Sequence, residues 1–274
     1  SMLNSYLEKW GLTHPQKLVE TATSHIYTVT YQSETTILKL LKPIGVNDEA
    51  GGAIALRHFN GLGAVRLIQA DDQAHLLEYA SGANLTSLVE RGEDDLATTI
   101  IADVINQLHS HPLPHTINSL ATLRRRFRSL FRHADKPTSD PIFKRAAQLA
   151  NQLISNPLQI CVLHGDIHHD NIRHHPKRGW LAFDPKGLIG ERAYDVANTL
   201  CNPITMPKLV CDEARLLRQS AILADKLMID HKRILAFVYI HACLSVCWSI
   251  EDGMDSSSAW CVAQMTEHHL GYLL

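Results

Sequence analysis

The stretch 161–187, which reads CVLHGDIHHDNIRHHPKRGWLAFDPKG, constrains this chain more than any other segment. Asp166 and Asn171 come after one short apolar run, and Asp184 comes after a second. Phosphoryl transfer from a nucleotide requires a carboxylate that orients the attacking hydroxyl and Mg²⁺ that neutralises phosphate charge. Because Mg²⁺ prefers oxygen ligands and keeps several waters, one Asn and one Asp suffice to hold it. The spacing therefore favours Asp166 as the catalytic carboxylate and Asn171 and Asp184 as magnesium ligands.

Hydrophobic patterning divides the chain into a β-rich first part and a helical second part. Residues 26–31 and 35–41 are rich in β-branched and aromatic side chains, which predicts an antiparallel hairpin. From residue 84 onward, apolar residues recur three and four positions apart, as is typical of helices. We therefore predict an α+β fold of two lobes, a β-rich N-lobe over residues 2–79 and a mostly helical C-lobe over residues 80–274.

The remaining elements follow from the same patterns. Further short strands are predicted over residues 65–68, 75–79, 160–163 and 180–183. Helices are predicted over residues 48–59, 84–90, 95–109, 119–132, 141–154, 208–228, 231–250 and 256–272.

The composition is that of a globular protein without a charge excess. The chain has 274 residues, of which 45% are hydrophobic, and 26 Lys and Arg side chains stand against 28 Asp and Glu. Proteins that bind nucleic acid or membrane surfaces rely on an excess of positive charge, which this chain lacks. We therefore expect a small-molecule partner, with no nucleic acid and no membrane, and nothing in the composition indicates an oligomeric state.

The cysteines and the N-terminus favour a cytoplasmic protein. Six cysteines form no CxxC pair and no disulfide framework, which suits a reducing compartment. No basic region followed by an apolar stretch marks a signal peptide. The apolar run 234–250 is shorter than the about 20 residues that a membrane-spanning helix needs, and it contains His241. We interpret this run as the central helix of a globular lobe.

Longer motifs around the Asp–Asn–Asp set point to a known family. The segment HGDIHHDN at 164–171 resembles the catalytic loop of the aminoglycoside phosphotransferase and choline kinase branch of the protein-kinase-like fold. DPKG at 184–187 resembles the kinase DFG element. Together with GWLAFDPKGLIGERAYDVAN at 179–198 and WSIEDG at 248–253, these motifs resemble the streptomycin 6-kinase and hydroxyurea kinase family of antibiotic-resistance enzymes. The resemblance extends from about residue 37 to the C-terminus.

The resemblance implies a bilobal kinase-like fold that uses ATP and Mg²⁺. The γ-phosphoryl group would pass to a hydroxyl of an aminoglycoside-like acceptor, of the streptomycin or hydroxyurea type. Lys39 occupies the position of the lysine that binds the α- and β-phosphates, and Glu49 is the candidate carboxylate that fixes it. Residues 77–80 resemble the linker between the lobes, in which Glu78 and Ala80 would offer backbone groups to the adenine.

The chain departs from the family pattern at two places. No glycine-rich loop occurs between Thr23 and Thr30, so we expect Ser24 and His25 to cover the phosphates, or the phosphates to be covered poorly. Glu-Arg replaces the usual Asp-Pro in GERAYD at 190–195. Asp195 is present, and we expect it to stabilise the catalytic loop by accepting backbone hydrogen bonds.

Three other interpretations stay open. The missing glycine-rich loop is compatible with a pseudokinase that binds a nucleotide for a regulatory or scaffolding purpose, and the acceptor of an active kinase could be an ordinary metabolite. A histidine-ligated Zn²⁺ or Fe²⁺ site is the third interpretation, because five histidines are close in sequence. These five are His164, His168, His169, His174 and His175. Since no HExxH motif occurs, we expect instead that His164 orders the catalytic loop.

The acceptor is expected to lie against acidic side chains. Aminoglycosides are polycations, so carboxylates suit their pockets. Glu251 and Asp252 follow the buried apolar run, where acidic side chains oppose the dipole at the end of a helix and a functional role is favoured. We predict an acidic loop in which these two residues recognise cationic groups of the acceptor. The arginine-rich run 124–128 is predicted to be a solvated helix face.

Overall fold

The computed structural model describes residues 1–115, 117 and 119–271. Its N-terminal part is an antiparallel sheet of β1 (Thr13–Glu20), β2 (Ser24–Tyr31), β3 (Glu34–Leu41), β4 (Leu67–Ala70) and β5 (Ala74–Glu78). The spatial order of these strands is β1-β2-β3-β5-β4. The predicted hairpin is confirmed as β2-β3, and the second predicted strand pair is confirmed as β4-β5.

The sequence patterns do not predict two elements that precede the hairpin, α1 (Met2–Trp10) and β1. All eight residues of β1 are exposed, so this strand lacks the alternation of polar and apolar side chains that indicates a strand. Tyr6 and Trp10 of α1 pack on one face of the sheet against Leu38 of β3. Because successive side chains of a strand point to opposite faces, Lys39 lies on the other face.

The C-terminal part is mostly helical, so the predicted α+β class is confirmed. Its helices are α3 (Thr86–Glu90), α4 (Asp94–Leu108), α5 (Leu123–Arg126), α6 (Arg128–Ala134), α7 (Pro141–Ser155), α8 (Pro207–Val210), α9 (Glu213–Leu227), α10 (His231–Asp252) and α11 (Ser257–Leu270). Its strands are β6 (Ala121–Thr122), β7 (Ile160–Leu163), β8 (Ile172–His175), β9 (Gly179–Ala182) and β10 (Leu188–Glu191). The 3₁₀ segments are His169–Asn171 and Arg192–Cys201.

Several predicted boundaries differ from the structure. The helix predicted over 119–132 divides at Phe127 into α5 and α6, and β8 and β10 were not predicted because four-residue strands carry little pattern. The helix predicted over 208–228 is interrupted because the Asp212 carboxylate accepts the Arg215 N–H at 2.9 Å and so begins α9. The last predicted helix corresponds to α11, and its predicted end at residue 272 lies outside the described residues.

Helix α10 is the centre of the C-terminal part, as its apolar run predicted. It packs against α7, α11 and the 3₁₀ segment 192–201. This helix is long and apolar enough to cross a membrane by length and composition alone, but 72% of its apolar stretch is buried inside the fold. A core helix therefore accounts for its composition.

The proposed lobe boundary between residues 79 and 80 falls in the connection from β5 to α3. It stays a prediction, because the larger hydrophobic core continues from Ala55 in the helix after β3 to Leu270 in α11. The helix after β3 is α2 (Gly45–Phe59). Residues 272–274 of the predicted C-lobe lie outside the part of the chain that the structure describes.

Three glycines let α2 touch the loop that follows β9. A Cβ atom at Gly51 would lie 2.6 Å from the carbonyl oxygen of Lys186, and one at Gly52 would lie 2.4 Å from that of Pro185. Gly187, at φ +74°, approaches Gly51 so closely that its Cβ would lie 2.0 Å from the Gly51 oxygen. Glycine weakens a helix by roughly 1 kcal/mol, but only glycine permits this backbone contact.

Candidate active site

An apolar cavity of about 200 Å³ lies between the N-terminal sheet and the hairpin β8-β9. The predicted nucleotide-binding residues Lys39, Glu78 and Ala80 line it, as does the predicted metal ligand Asp184. Apolar side chains form most of the remaining wall: Leu18, Val19, Ile26, Ile37, Val65, Leu77 and Phe183. A mainly apolar cavity with a few polar groups is typical of a small-molecule site.

Lys39 is the charged centre of this cavity. It is only 5% exposed, and its Nζ lies 3.2 Å from Glu49 Oε2 and 3.1 Å from Asp184 Oδ1. Burial alone would lower the pKa of Lys39, but Asp184 and Glu49 outweigh burial and raise the pKa above its ordinary value. The ammonium group is therefore charged and held in place, so the predicted Lys39–Glu49 contact is present.

Glu78 and Ala80 offer different groups to the cavity. The Glu78 carboxylate accepts hydrogen bonds from Arg178 at 2.6 and 3.0 Å, and the Glu78 backbone N–H donates to Arg66. The Glu78 carboxylate and backbone N–H are therefore already hydrogen-bonded within the protein. Within the described residues, the backbone of Ala80 makes no hydrogen bond, so its N–H and C=O are available to a bound base.

The expectation that Ser24 and His25 cover the phosphates stays a prediction. Ser24 is fully buried, and the His25 ring lies 3.3 Å from Glu20 on the exposed side of the sheet. Neither residue lines the apolar cavity, which is bounded instead by Thr21 and by side chains of β1. The turn before β2 nevertheless lies beside the Lys39–Glu49 pair, because Thr23 Oγ1 donates to Glu49 Oε1 at 3.2 Å.

Asp195 holds the loop that follows β7. Its carboxylate accepts the backbone N–H groups of His164 and Gly165 at 2.9 and 2.8 Å and contacts His109 Nε2 at 2.7 Å. Burial alone would raise the pKa of Asp195, but these hydrogen bonds and the neighbouring histidines hold it below its ordinary value. The predicted structural role of Asp195 is confirmed.

His164 joins the two predicted catalytic loops. Its Nδ1 accepts the Asp166 N–H at 3.1 Å, while its Nε2 lies 2.8 Å from the carbonyl oxygen of Phe183, the residue before Asp184. The His164 carbonyl also accepts the N–H groups of Lys186 and Gly187. The expectation that His164 orders the catalytic loop is therefore confirmed, and the same ring brings the Asp166 and Asp184 loops together.

Asp166 and Asn171 are directly bonded. Asn171 Nδ2 donates to the Asp166 carbonyl at 3.0 Å and to Asp166 Oδ2 at 3.2 Å. The Asn171 carbonyl accepts the Phe183 N–H at 3.0 Å, so the Asn171 and Asp184 backbones are close. Among the described residues, no group donates to Asn171 Oδ1 or to Asp184 Oδ2. One amide and one carboxylate oxygen with free lone pairs suit a hard cation such as Mg²⁺.

A second cavity, of about 630 Å³, adjoins the catalytic loop and is called the basic cavity here. Its positively charged residues outnumber the acidic ones, Asp48 and Glu251. The positively charged residues are Arg125, Arg126, Arg128, Arg132 and Lys186. Arg126 connects this cavity to the catalytic loop, because it donates to the Gly165 carbonyl at 3.2 Å while lying 4.6 Å above the Trp248 ring. The predicted solvated face is therefore wrong at Arg126.

The predicted acidic loop is also wrong. Glu251 and Asp252 form the last turn of α10, and Glu251 is bound to residues of α6. Its carboxylate accepts hydrogen bonds from Ser129 at 3.1 Å and Arg132 at 3.3 Å and lies 3.1 Å from His133 Nε2. Asp252 is exposed and does not line the basic cavity. The helix continues because Gly253, not Glu251, ends it in a left-handed conformation.

Comparison with known proteins decides the family. A family model described as aminoglycoside/hydroxyurea antibiotic resistance kinase matches residues 9–253. The chain belongs to this kinase family. A streptomycin 3''-kinase of Klebsiella pneumoniae is 34% identical over 90% of this chain and 92% of its own length. A hydroxyurea phosphotransferase of Kitasatospora aureofaciens is 27% identical over 90% of this chain and 72% of its own length.

A solved structure gives the same result for the fold. It is a thermostable mutant of the aminoglycoside phosphotransferase APH(4)-Ia, in ternary complex with AMP-PNP and hygromycin B. It is 15% identical to this kinase, and the two structures superpose with a TM-score of 0.65. The superposition covers 97% of this chain and 96% of the solved chain. The predicted kinase-like fold and the predicted family are both confirmed.

The histidine-ligated metal site receives no support in the kinase. Within residues 1–115, 117 and 119–271, no group of three or more His, Cys, Asp or Glu side chains is arranged to hold a metal ion. His164 is used by the catalytic loop, and the His168 Nδ1 accepts the Asp170 N–H at 3.2 Å. His174 makes an edge-to-face contact with the Trp180 ring. The clustering of these histidines in sequence therefore does not produce a shared site.

One residue beside the catalytic carboxylate of the kinase was not predicted. Asn198 Nδ2 donates to Asp166 Oδ1 at 2.9 Å from the 3₁₀ segment 192–201. The only sequence signal was its place at the end of the motif GERAYDVAN, whose spacing does not indicate which loop it contacts. The contact spans 32 positions and depends on the tertiary fold.

Proposed function

We propose that this kinase transfers the γ-phosphoryl group of ATP to a hydroxyl of an aminoglycoside-like acceptor, of the streptomycin or hydroxyurea type. One observation carries the proposal. Lys39 is buried 3.1 Å from Asp184, and the Asp184 loop is bonded through His164 to the loop that carries Asp166. A phosphate-binding ammonium, a metal-binding carboxylate and a base are thereby held together, as phosphoryl transfer requires.

The apolar cavity is the proposed nucleotide site. Its walls suit an adenine ring, and the free backbone groups of Ala80 can hydrogen-bond the edge of the ring. Lys39 would then contact the α- and β-phosphates, since it lies between Glu49 and Asp184 in the same cavity. The solved aminoglycoside phosphotransferase is a complex with AMP-PNP, an analogue of ATP, and this supports ATP as the nucleotide.

Asn171 and Asp184 are the proposed magnesium ligands, through their free oxygens. When bound, Mg²⁺ neutralises charge on the transferred phosphoryl group. Asp166 would accept a hydrogen bond from the acceptor hydroxyl and orient its lone pair toward the γ-phosphorus. As the new O–P bond forms and the bond between the γ-phosphorus and ADP breaks, the hydroxyl proton passes to Asp166.

The test is ATP consumption with Mg²⁺ across a panel of streptomycin, other aminoglycosides, hydroxyurea and small amino-alcohols. Asp166→Ala should lower acceptor-dependent turnover on the order of 10²- to 10⁴-fold. Asp103→Ala is the matched control, because this carboxylate pairs with Lys226 on an exposed surface. Its turnover should equal that of the unmodified kinase.

Each result has a definite meaning. Turnover with one acceptor that disappears in Asp166→Ala supports the proposal and identifies the acceptor type. ATP binding without turnover on the whole panel would favour a pseudokinase or a kinase of an ordinary metabolite. Absence of ATP binding would contradict the proposal.

We also propose that the kinase acts in the cytoplasm on a small molecule, without nucleic acid or membrane. Its six cysteines are free thiols, three of them buried, which suits a reducing compartment. Fractionation of cells that express the full-length protein would test this location.

A further inference from the structure

The catalytic carboxylate receives two side-chain amides, one from each side. Asn171 donates to Oδ2 of Asp166 from within the catalytic loop, and Asn198 donates to Oδ1 from the 3₁₀ segment. Asn171 is also the proposed metal ligand, whereas Asn198 contacts neither the apolar cavity nor the basic cavity. Asn198 therefore acts on the site through Asp166 alone.

Asn198 is the end of a hydrogen-bonded chain that begins in the basic cavity. Arg126 Nε donates to Tyr194 Oη at 3.4 Å, and Tyr194 Oη lies 2.8 Å from His241 Nδ1. His241 Nε2 lies 3.2 Å from Asn198 Oδ1, and Asn198 Nδ2 donates to Asp166. We call Arg126, Tyr194, His241 and Asn198 the relay.

The direction of each bond in the relay follows from its ends. The Asp166 carboxylate can only accept, so the Asn198 NH₂ group faces it and Asn198 Oδ1 faces His241 Nε2. This leaves Nδ1 of the neutral imidazole to accept from the Tyr194 hydroxyl. At the other end of the relay, the Tyr194 oxygen accepts from Arg126, which can only donate. With Nδ1 accepting, a neutral imidazole carries its proton on Nε2, which must donate to Asn198 Oδ1. Asn198 Oδ1 also accepts from Asn202 Nδ2 at 3.3 Å, so two donors hold this oxygen while the NH₂ group faces the Asp166 carboxylate. A rotated amide would instead place oxygen against oxygen.

Burial keeps the two central members of the relay uncharged. His241 is 3% exposed, and burial, with help from Arg126, lowers its pKa to about 3. Burial likewise raises the pKa of Tyr194. The imidazole is therefore neutral and the phenol protonated at neutral pH, which is the state that the bond directions require.

We propose that Asn198 is a positioning residue for Asp166, and that Arg126, Tyr194 and His241 fix its amide in the orientation that donates to the carboxylate. The inference rests on the proposed function, because it assigns Asp166 the role of base. Since Arg126 forms part of the basic cavity wall and lies on Trp248, the relay connects that cavity to the catalytic carboxylate.

Kinetics of Asn198 variants test the positioning role. Asn198→Ala should lower kcat about tenfold to a hundredfold and leave the KM for ATP within about twofold, because only the geometry of Asp166 changes. Asn151→Ala is the matched control: Asn151 accepts from Arg124 on the exposed surface and should leave both constants unchanged. An unchanged kcat in Asn198→Ala would overturn the proposal.

Asn198→Asp supplies a readout that a purely structural role would not move. This variant keeps the size of the side chain but places a second carboxylate about 2.9 Å from Asp166. Two carboxylates at that distance share one proton, so the acid limb of kcat against pH should move upward by about one unit or more. An acid limb that does not move would contradict the proposal.

A double-mutant cycle tests the relay itself. Tyr194→Phe removes the donor to His241 and should lower kcat several-fold in the unmodified kinase. In the Asn198→Ala background the same substitution should have no further effect on kcat, because its effect passes through Asn198. Fully additive effects would show that the residues act independently.

The tautomer of His241 gives a test that does not depend on turnover. ¹⁵N spectra of histidine-labelled protein, with His241→Gln to assign the signal, should show the proton on Nε2. Tyr194→Phe should increase the fraction with the proton on Nδ1. A native His241 that carries its proton on Nδ1 would overturn the relay, even if the acceptor panel showed no turnover and the proposed function failed.

Discussion

The apolar cavity and the basic cavity are both lined by the loop that carries Asp184, the first by Phe183 and Asp184 and the second by Lys186 and Gly187, yet they are built differently. Around the apolar cavity, Lys39 is paired with Glu49 and Asp184, and Glu78 is paired with Arg178. Around the basic cavity, Arg125 and Arg128 have no ion-pair partner within the described residues, and both are exposed. The central charge of the apolar cavity is thus paired before a ligand arrives, whereas these two charges of the basic cavity are not.

We propose that this difference separates the two tasks of a kinase, with the nucleotide in the apolar cavity and the acceptor in the basic cavity. Phosphate and metal binding demand the same charges for every acceptor, so those charges are preorganised in a buried network. An acceptor site need only match one molecule, and its charge can be set by exposed side chains on α5 and α6. The basic cavity thus carries positive charge although the proposed acceptors include a polycation.

Breaking the buried network on the nucleotide side should have the largest effect. Lys39→Met should lower kcat on the order of 10³-fold, because the phosphates lose their cation and two carboxylates lose their partner. Lys42→Met is the control, since Lys42 pairs with Glu20 on the same sheet outside the cavity. Steady-state kinetics with Mg²⁺ and ATP measure kcat for both variants. An equal loss of kcat in Lys39→Met and Lys42→Met would show that sheet stability, not phosphate binding, is affected.

The second-largest effect is expected from removing the Asp195 carboxylate, which holds the loop after β7. Asp195→Asn should destabilise the fold by about 3 kcal/mol, because an amide cannot accept from His164, Gly165 and His109 together. Since the pKa of Asp195 is lower in the folded state, its stabilisation is present above about pH 4 and is lost as the pH falls through the folded pKa. Denaturant unfolding at pH 7 and pH 3 measures this, and the difference in unfolding free energy between the native protein and the Asp195→Asn variant should shrink at pH 3.

Reversing charge in the basic cavity should have a smaller and selective effect. The double variant Arg125→Glu with Arg128→Glu should lower the KM for streptomycin roughly fivefold, or about 1 kcal/mol, and leave that for ATP unchanged. Arg124→Glu is the matched control, because Arg124 belongs to the same run but bonds to Asn151 outside the cavity. An equal change in the KM for uncharged hydroxyurea would argue against an electrostatic cause.

The smallest effect is expected at the end of α10. Glu251→Gln releases Arg132 and makes the basic cavity more positive, so the KM for streptomycin should rise roughly twofold to threefold, without a change for ATP. Asp252→Asn should change neither constant, because Asp252 is exposed outside the cavity. A larger effect at Asp252 than at Glu251 would restore the acidic-loop hypothesis.

The same contrast explains what the sequence could predict. Asp166, Asn171 and Asp184 lie within 19 consecutive positions. Asp166 and Asn171 share the loop before β8, and the β8-β9 hairpin returns the chain so that Asp184 lies beside them. Their spacing in the sequence therefore indicates a phosphoryl-transfer site. The β2-β3 hairpin was predicted for a different reason, since its β-branched and aromatic side chains form a local pattern. The exposed strand β1 was missed, because its eight residues have no buried face to create a pattern.

The acceptor side depends on contacts between distant segments. Glu251 meets Arg132 across 119 positions, and Asn198 meets Asp166 across 32. No local pattern specifies such pairs, because periodicity indicates which face of an element is buried but not which partner covers it. A carboxylate predicted to face a ligand therefore serves to hold two helices together.

The three glycines where α2 meets the Asp184 loop have a mechanical consequence. Because Gly51 and Gly52 bring the α2 backbone against the carbonyls of Lys186 and Pro185, the helix that carries Glu49 and the loop that carries Asp184 pack as one body. A methyl group at Gly51 would act as a wedge, forcing this body apart while leaving the side chains of the catalytic loop untouched.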